Sequence, residues 1–300
     1  MRSSAATASF HLPAGSATAP GCSLLVTPDS AGWSYSGLAV LDLGPGESAI
    51  WTTGVAETLV LPLSGSCQVA CEGTTYDVRG RPDVFSGPSD FVYVPRDAEL
   101  TVSTDRGGRF AFPSAVCDRR LPVRHRLAED VPVELRGAGS ASRQVNNFCT
   151  PEVFEADALI ACEVLTPSGN WSSYPPHKHD EATSTESVLE EIYYFEVADG
   201  PSGPGVAYQR VYGHDDREID VLAEVRTGDV VLIPHGWHGP SMAVPGYDLY
   251  YLNVMAGPGE RAWRICDDPA HAWVRDTWAE LAVDPRLPFG AATGDGEEAR

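Results

Sequence analysis

Short runs of Val, Ile, Leu, Tyr and Phe, each closed by Gly or Pro, recur along this chain, and helix signals between them are sparse. Examples are "SLLVTP", "GLAVLDL", "ETLVLPLSG", "FVYVP", "ALIACEVLTP", "EIYYFEV", "AYQRVYG", "DVVLIP" and "YDLYYLNVMAG". With 29 Gly and 24 Pro in 300 residues, this pattern predicts an all-β sandwich or barrel. The order of the pieces also repeats. Residues 38–103 give "GLAVLDLGPGESAIW", "ETLVLPLSGSCQVAC" and "GPSDFVYVPRDAELTVS", and residues 159–243 give "LIACEVLTPSGNWSSYPPHKH", "EEIYYFEV", "YQRVYG" and "TGDVVLIPHGWHGPSMA". The repetition predicts an internal duplication of one β module. The expected units are 1–140 and 141–285, joined through the Arg-rich, Pro-punctuated "FPSAVCDRRLPVRHRLAEDVPVELRGAGSASR". The acidic, Gly-rich end, residues 286–300, is expected to be a disordered tail.

Composition removes several function classes. No run of about 18 apolar residues is present, so no helix is expected to span a membrane, and "MRSSAATASFHLPAGSATAP" lacks the continuous apolar stretch of a signal peptide. The chain is therefore expected to be soluble and cytoplasmic. A formal charge of −21 with no Lys/Arg stripe argues against nucleic acid, which requires clustered cations. The seven cysteines fall at irregular spacing. Cys67 and Cys71 read as strand positions about 13 Å apart, too far for a disulfide or a shared metal within one straight strand. Reduced, mostly buried thiols are the expectation.

The chemistry concentrates in "YPPHKHDEATSTESVLEEIYYF". Alternation in a strand puts His177 and His179 on one face and Lys178 on the other. Glu191 opens the strand "EIYYFEV", and His238 follows the tight turn Pro234 to Gly236. Three neutral imidazoles and a carboxylate with open positions suit a divalent Zn, Mn, Fe or Ni ion acting on oxygen ligands. The long segment before Glu191 leaves Glu181, Glu186 and Glu190 as alternatives, and Glu191 is preferred for its place before the aromatic strand.

This arrangement resembles the cupin pattern, in which a Gly, HxH, Glu, Gly motif is followed by a second motif of Gly, Pro, Gly and His, supplied here by Gly228, Pro234, Gly236 and His238. More narrowly, "GNWSSYPPHKHD", "LEEIYYFEV", "QRVYG", "GDVVLIPHGWH", "PGYDLYYLNVMAGP" and "DPAHAWV" resemble the 5-deoxy-glucuronate isomerase family of bacterial myo-inositol catabolism. The resemblance implies a bicupin, two double-stranded β-helix (jelly-roll) barrels of which the first is degenerate. The sequence agrees, since Gly46 to Gly65 offers Trp51 and Glu57 but no histidine. It further implies that His177, His179, Glu191 and His238 are metal ligands, and that the substrate is a small sugar acid. The implied reaction interconverts 5-deoxy-D-glucuronate and 5-dehydro-2-deoxy-D-gluconate through an enediolate, which requires a base, an acid and stabilisation of two oxygens.

Further residues are assigned by position. Tyr193 shares the face of Glu191 and could shuttle a proton, hold the sugar or pack as core. His235 lies in the turn at the barrel mouth, where it either acts in catalysis or faces solvent. Of Tyr250 and Tyr251, alternation turns one inward, and Tyr251 is taken as a substrate contact. A substrate carboxylate calls for Arg or Lys, with Arg143 and Arg210 the candidates. Lys178 is the only lysine, all the rest of the 21 Lys/Arg residues being arginine. It is grouped with Tyr193 and His235 as a catalytic candidate, and is expected to support the site from behind by pairing with a carboxylate such as Asp180 or Glu190, or to reach a turn of the substrate pocket. His214 is expected in a loop, and His271 as a structural histidine among Trp263, Trp273 and Trp278. The competing readings are a metal-dependent dioxygenase on the same fold and a non-catalytic sugar-binding bicupin. The aromatic content is compatible with a homodimer through sheet faces.

Overall fold

The computed structural model describes residues 10–214 and 217–290. Within them the chain is almost entirely β and forms two barrels. In the first half, strands Arg124–Arg126, Phe91–Val94, Ala56–Cys71, Gly108–Val116, Ser36–Leu43 and Leu24–Val26 follow one another across a nine-stranded sheet. The strands Ser48–Thr52, Thr74–Arg81 and Glu99–Ser103 curl that sheet over. The second half consists of two sheets. One carries Val230–Ile233, Glu190–Val197, Leu249–Ala256, Ile160–Thr166 and Arg143–Cys149 side by side, and the other carries Arg217–Val225, Ala207–His214, Trp237–Ala243 and His177–Lys178.

Two-residue alternation decides what each strand buries. From Glu190–Val197, the odd residues Tyr193, Phe195 and Val197 enter the second barrel, where they meet Val164, Leu249 and Tyr251 of their own sheet and Val211, Ile219 and Val221 of the facing one. The even residues Ile192 and Tyr194 point the other way. With Tyr250, Leu252 and Val254 they pack on Leu38, Val40, Leu59, Leu61 and Ala111 of the first half. Both faces of these strands are thus dry, which is why they read as continuous apolar runs. Each such side chain contributes about 1.5–3 kcal/mol by burial.

Polar groups sealed between the barrels are paired across the interface. Arg81 of the first half meets Glu163 of the second, and Glu163 also accepts from Tyr250 Oη (2.8 Å) and Asn146 Nδ2 (2.9 Å). Two carboxylates then cap the opposite half. Glu57 accepts the backbone N–H groups of Asp157, Ala158 and Leu159 at 2.7–2.9 Å, and Glu190 accepts those of Ser34, Tyr35 and Ser36 at 2.8–3.0 Å. Glu57 therefore occupies in its strand the place that Glu190, not Glu191, occupies in the other.

Three expectations are corrected. The 140/141 boundary separates strands that pair, because His11–Leu12 and Val133–Arg136 both join the second half's sheet through Val230–Ile233 and Arg143–Cys149. Residues 286–290 of the expected disordered tail are docked: Leu287 is buried, Phe289 donates its N–H to Gln144 Oε1 (2.7 Å) and its ring lies 6.1 Å from that of Phe85. Residues 291–300 lie outside the described residues. His214 ends the strand Ala207–His214 and does not stand in a loop. Cys67 and Cys71 are buried free thiols in the strand Ala56–Cys71.

Candidate metal and substrate site

Strand pairing assembles the histidines. His177 and His238 are direct cross-strand partners, with ring centroids 4.4 Å apart. His179, two residues on, has its ring 4.6 Å from that of His238. Glu191 reaches them from the facing sheet, its Oε2 3.0 Å from His179 Nε2 and 3.2 Å from His238 Nε2. His179, Glu191 and His238 are buried and present their ligand atoms within 4.8 Å of one another. His177 is half-buried beside them, at the wall of a cavity.

The hydrogen bonds fix which way these rings point. His179 Nδ1 lies 3.2 Å from Leu189 O, His238 Nδ1 lies 3.1 Å from Gly236 O, and His177 is bonded to the Pro175 carbonyl. A carbonyl accepts only, so each imidazole donates a ring N–H to the backbone, and each keeps a lone pair on its other nitrogen. For His179 and His238 that lone pair faces the Glu191 carboxylate. His238 Nε2 is sealed from solvent with no hydrogen-bond donor near it. Acceptors turned on acceptors in a dry site fit a cation, and the N₃O donor set suits Zn, Mn, Fe or Ni over Ca or Mg. Burial, reinforced by the neighbouring imidazoles, pushes His177 and His238 well below the usual histidine range, which keeps them neutral. Burial also raises the Glu191 carboxyl, against the opposing influence of the adjacent His179 imidazole.

The cavity above the cluster is about 330 Å³, lined by His177, Tyr193, Tyr251, Ser173, Asn253 and Asp267, with Arg136, Arg143 and Arg275 on its walls. Tyr193 and Tyr251 stack at 4.9 Å and share Ser173 Oγ, 3.0 Å from each phenol oxygen. Burial first, then Glu191, raises Tyr193 well above its usual range, so its phenol keeps its proton. Arg136 is paired with Glu134 and Arg275 with Asp267. Arg143 has no carboxylate partner among the described residues. Its guanidinium donates to Ala141 O (3.1 Å) and lies 5.3 Å from the Trp278 ring. Burial, with Arg136 and Arg275 adding repulsion, brings it down to about 10. Room for it depends on Gly137, at φ +76°, where a Cβ would stand 2.2 Å from Ala141 O and 2.6 Å from Arg143 Nη1.

Tyr193, Tyr251, Arg143 and the four metal candidates thus meet at one place. Three other candidates do not. Arg210 is an even residue of a strand whose odd residues Ala207, Gln209 and Val211 fill the barrel, so it lies outside and pairs with Asp220. His235 is carried by its turn to the outer side, next to Asp180, His214 and Arg217, and does not line the cavity. Lys178 faces away from the cavity, as alternation requires, and contacts Asp180, Glu181 and Glu186. Glu181 and Glu186 are thereby committed to Lys178, and Glu190 to the first half. Sequence reasoning missed Asn253, Arg136, Trp263, Asp267 and Arg275. Asn253 was visible as the polar residue sharing the face of Tyr251 in "YDLYYLNVMAG"; Trp263, Asp267 and Arg275 follow the last barrel strand, where no period marks an inward face. His271 is half-buried, its ring 6.3 Å from that of Tyr174.

Residues 11–274 match the family model described as KduI/IolB family. The chain belongs to the KduI/IolB family. Among relatives, a protein named 5-deoxy-glucuronate isomerase from Geobacillus kaustophilus (strain HTA426) is 42% identical over 269 residues, 89% of this chain and 95% of that one. One of the same name from Bacillus subtilis (strain 168) is 39% identical over 252 residues, 83% and 91% of the two chains. The crystal structure of an IolB-like protein from Salmonella typhimurium LT2 superposes with a TM-score of 0.81 at 36% identity, covering 88% of this chain and 98% of that one. An oxalate decarboxylase from Lactobacillus farciminis shares the fold, with a TM-score of 0.61 at 13% identity over 86% and 88% of the chains.

Proposed function

We propose that this protein is an aldose–ketose isomerase that converts 5-deoxy-D-glucuronate to 5-dehydro-2-deoxy-D-gluconate, with His177, His179, Glu191 and His238 holding a divalent metal. The observation that carries this reading is a buried donor cluster, His179, Glu191 and His238, adjoined through His177 to a 330 Å³ cavity whose wall holds a buried guanidinium with no carboxylate partner among the described residues. A sugar acid has the complementary pair: vicinal carbonyl and hydroxyl oxygens at one end, a carboxylate at the other. A metal bound there supplies positive charge to the two oxygens of the enediol.

The remaining work falls to the chain. The reaction breaks the C2–H bond, forms a C1–H bond and passes a hydroxyl proton from O2 to O1, so no oxidant or reductant enters. Tyr193, protonated and held by Ser173, is placed to give and retake the proton moving between the oxygens. Arg143 receives the carboxylate in a charge-assisted pair, and the Asn253 amide, whose Nδ2 is buried without an acceptor, offers a donor to a sugar oxygen. Tyr251 closes the apolar side of the sugar.

The test is metal content of the purified protein together with NMR of 5-deoxy-D-glucuronate incubated with it in D₂O. Conversion to the ketose with about one metal per chain, both lost in His179→Ala, is expected. Bound metal without conversion would overturn the isomerase assignment, and oxygen uptake with bound iron would replace it with an oxygenase.

A further inference from the structure

The three carboxylates around Lys178 have no part in the chemistry above, yet they are among the most elaborately bonded groups in the molecule. Lys178 Nζ lies 2.9 Å from Asp180 Oδ1, 2.9 and 3.1 Å from the two oxygens of Glu186, and 3.1 Å from Glu181 Oε1. Lys178, Asp180 and Glu186 are all buried. Glu186 also accepts the N–H groups of Asp180 (2.8 Å) and Glu181 (3.1 Å), which folds the 180–186 segment around the ammonium. Asp180 then reaches out of the cage. Its Oδ2 accepts the Gly236 N–H (2.9 Å) and meets His214 Nε2 (2.9 Å) and Arg217 Nη1 (3.1 Å).

Asp180 adjoins His179, Lys178 lies between His177 and His179, and Gly236 is two residues before His238. Gly236 sits at φ +92°, where a Cβ would stand 2.7 Å from Tyr212 O, so the turn has one conformation to offer. We infer that Lys178 and Asp180 are positioning residues, a buried clamp that locks the His177–His179 segment to the Gly236–His238 turn and so sets the spacing of the metal-binding nitrogens. Asp180, Glu181 and His214 could by themselves hold a metal, but the tethered ammonium already occupies the point on which the carboxylates converge. This explains a lysine in a chain that otherwise uses arginine. One tetrahedral ammonium satisfies three carboxylates at a single point, whereas a planar guanidinium spreads its donors in a fork too wide for that cage.

The inference rests on the metal-site reading, and the experiment separates the two. Metal-free wild type, Lys178→Arg, Asp180→Asn and Glu57→Gln are titrated with Co²⁺ while its visible spectrum is followed, and hydrogen exchange of the 233–238 segment is measured by mass spectrometry without metal. Lys178→Arg and Asp180→Asn should bind Co²⁺ at least tenfold more weakly with shifted bands and exchange the turn at least tenfold faster. Glu57→Gln, which loosens the barrels' contact, should leave the spectrum unchanged. A Lys178→Arg spectrum, affinity and exchange rate equal to wild type overturns the clamp. Wild type that takes up no Co²⁺ overturns the metal-site reading, and the exchange rates alone then decide the clamp: faster in the variants upholds it, unchanged rejects it.

Discussion

Replacing Arg143 by Met should make the protein more stable and less able to bind its substrate. Arg143 is 5% exposed, stands near Arg136 and Arg275, and has no ion-pair partner among the described residues. Lowering an arginine to about 10 amounts to about 3 kcal/mol by which the folded state disfavours its charge. Because the folded value lies below the unfolded one, the penalty is fully present at neutral pH and fades only as pH rises through about 10 towards the ordinary value. Met fills similar volume without charge, losing one hydrogen bond to Ala141 and the stacking on Trp278. The net gain should be about 1–2 kcal/mol, a rise in Tm of roughly 2–6 °C. The same change removes the anchor for the carboxylate. D-glucuronate should raise the Tm of the wild type but not of the variant, and kcat/KM should fall on the order of a hundredfold, mostly through KM. Scanning fluorimetry with and without D-glucuronate, and steady-state kinetics, read all three. A variant that melts lower than wild type and still responds to D-glucuronate would refute the reasoning.

Glu57→Ala strips the acceptor from three backbone N–H groups and from Tyr93 Oη (2.6 Å) at a fully buried site, and should destabilise by about 3–5 kcal/mol in urea unfolding. An effect under about 1 kcal/mol would mean water replaces the carboxylate freely. Tyr193→Phe should lower kcat about a hundredfold with metal content unchanged, as checked by elemental analysis beside turnover. Arg210→Ala should leave KM unaltered and stability within about 0.5 kcal/mol, as suits a pair near the surface; a raised KM would restore Arg210 to the substrate site.

Local pattern carried some assignments securely and left others open for a definite reason. Alternation alone put His177 and His179 on one face with Lys178 on the other, and Tyr193 on the face of Glu191, because a strand's period is two wherever the strand lies. It failed for Arg210 only because the sequence does not say which of a strand's two faces is the wet one; the barrel put Ala207, Gln209 and Val211 inside. The choice of Glu191 among four glutamates rested locally on its place before the aromatic strand alone. Glu190 and Glu191 are neighbours of identical chemistry, and what separates them is that one faces the first barrel's backbone at Ser34 to Ser36 and the other faces two imidazole lone pairs.

The sequence by itself determined the β class and the repeated order of its strands, since these follow from short-range patterns, and it singled out His177, His179 and His238 as candidates by residue type and spacing. Tertiary structure alone decided how the cavity wall is built. Arg136 and Arg143 face each other on two paired strands of the second half's sheet, and Trp263, Asp267 and Arg275 come from the segment after the last barrel strand. Their meeting at one cavity joins residues 120 to 139 positions apart along the chain, and no periodicity records that packing. The lone lysine falls on the other side of that divide: Asp180, Glu181 and Glu186 all follow Lys178 within eight residues, so local sequence already pointed to a carboxylate such as Asp180, and the fold added that Lys178, Asp180 and Glu186 are buried together.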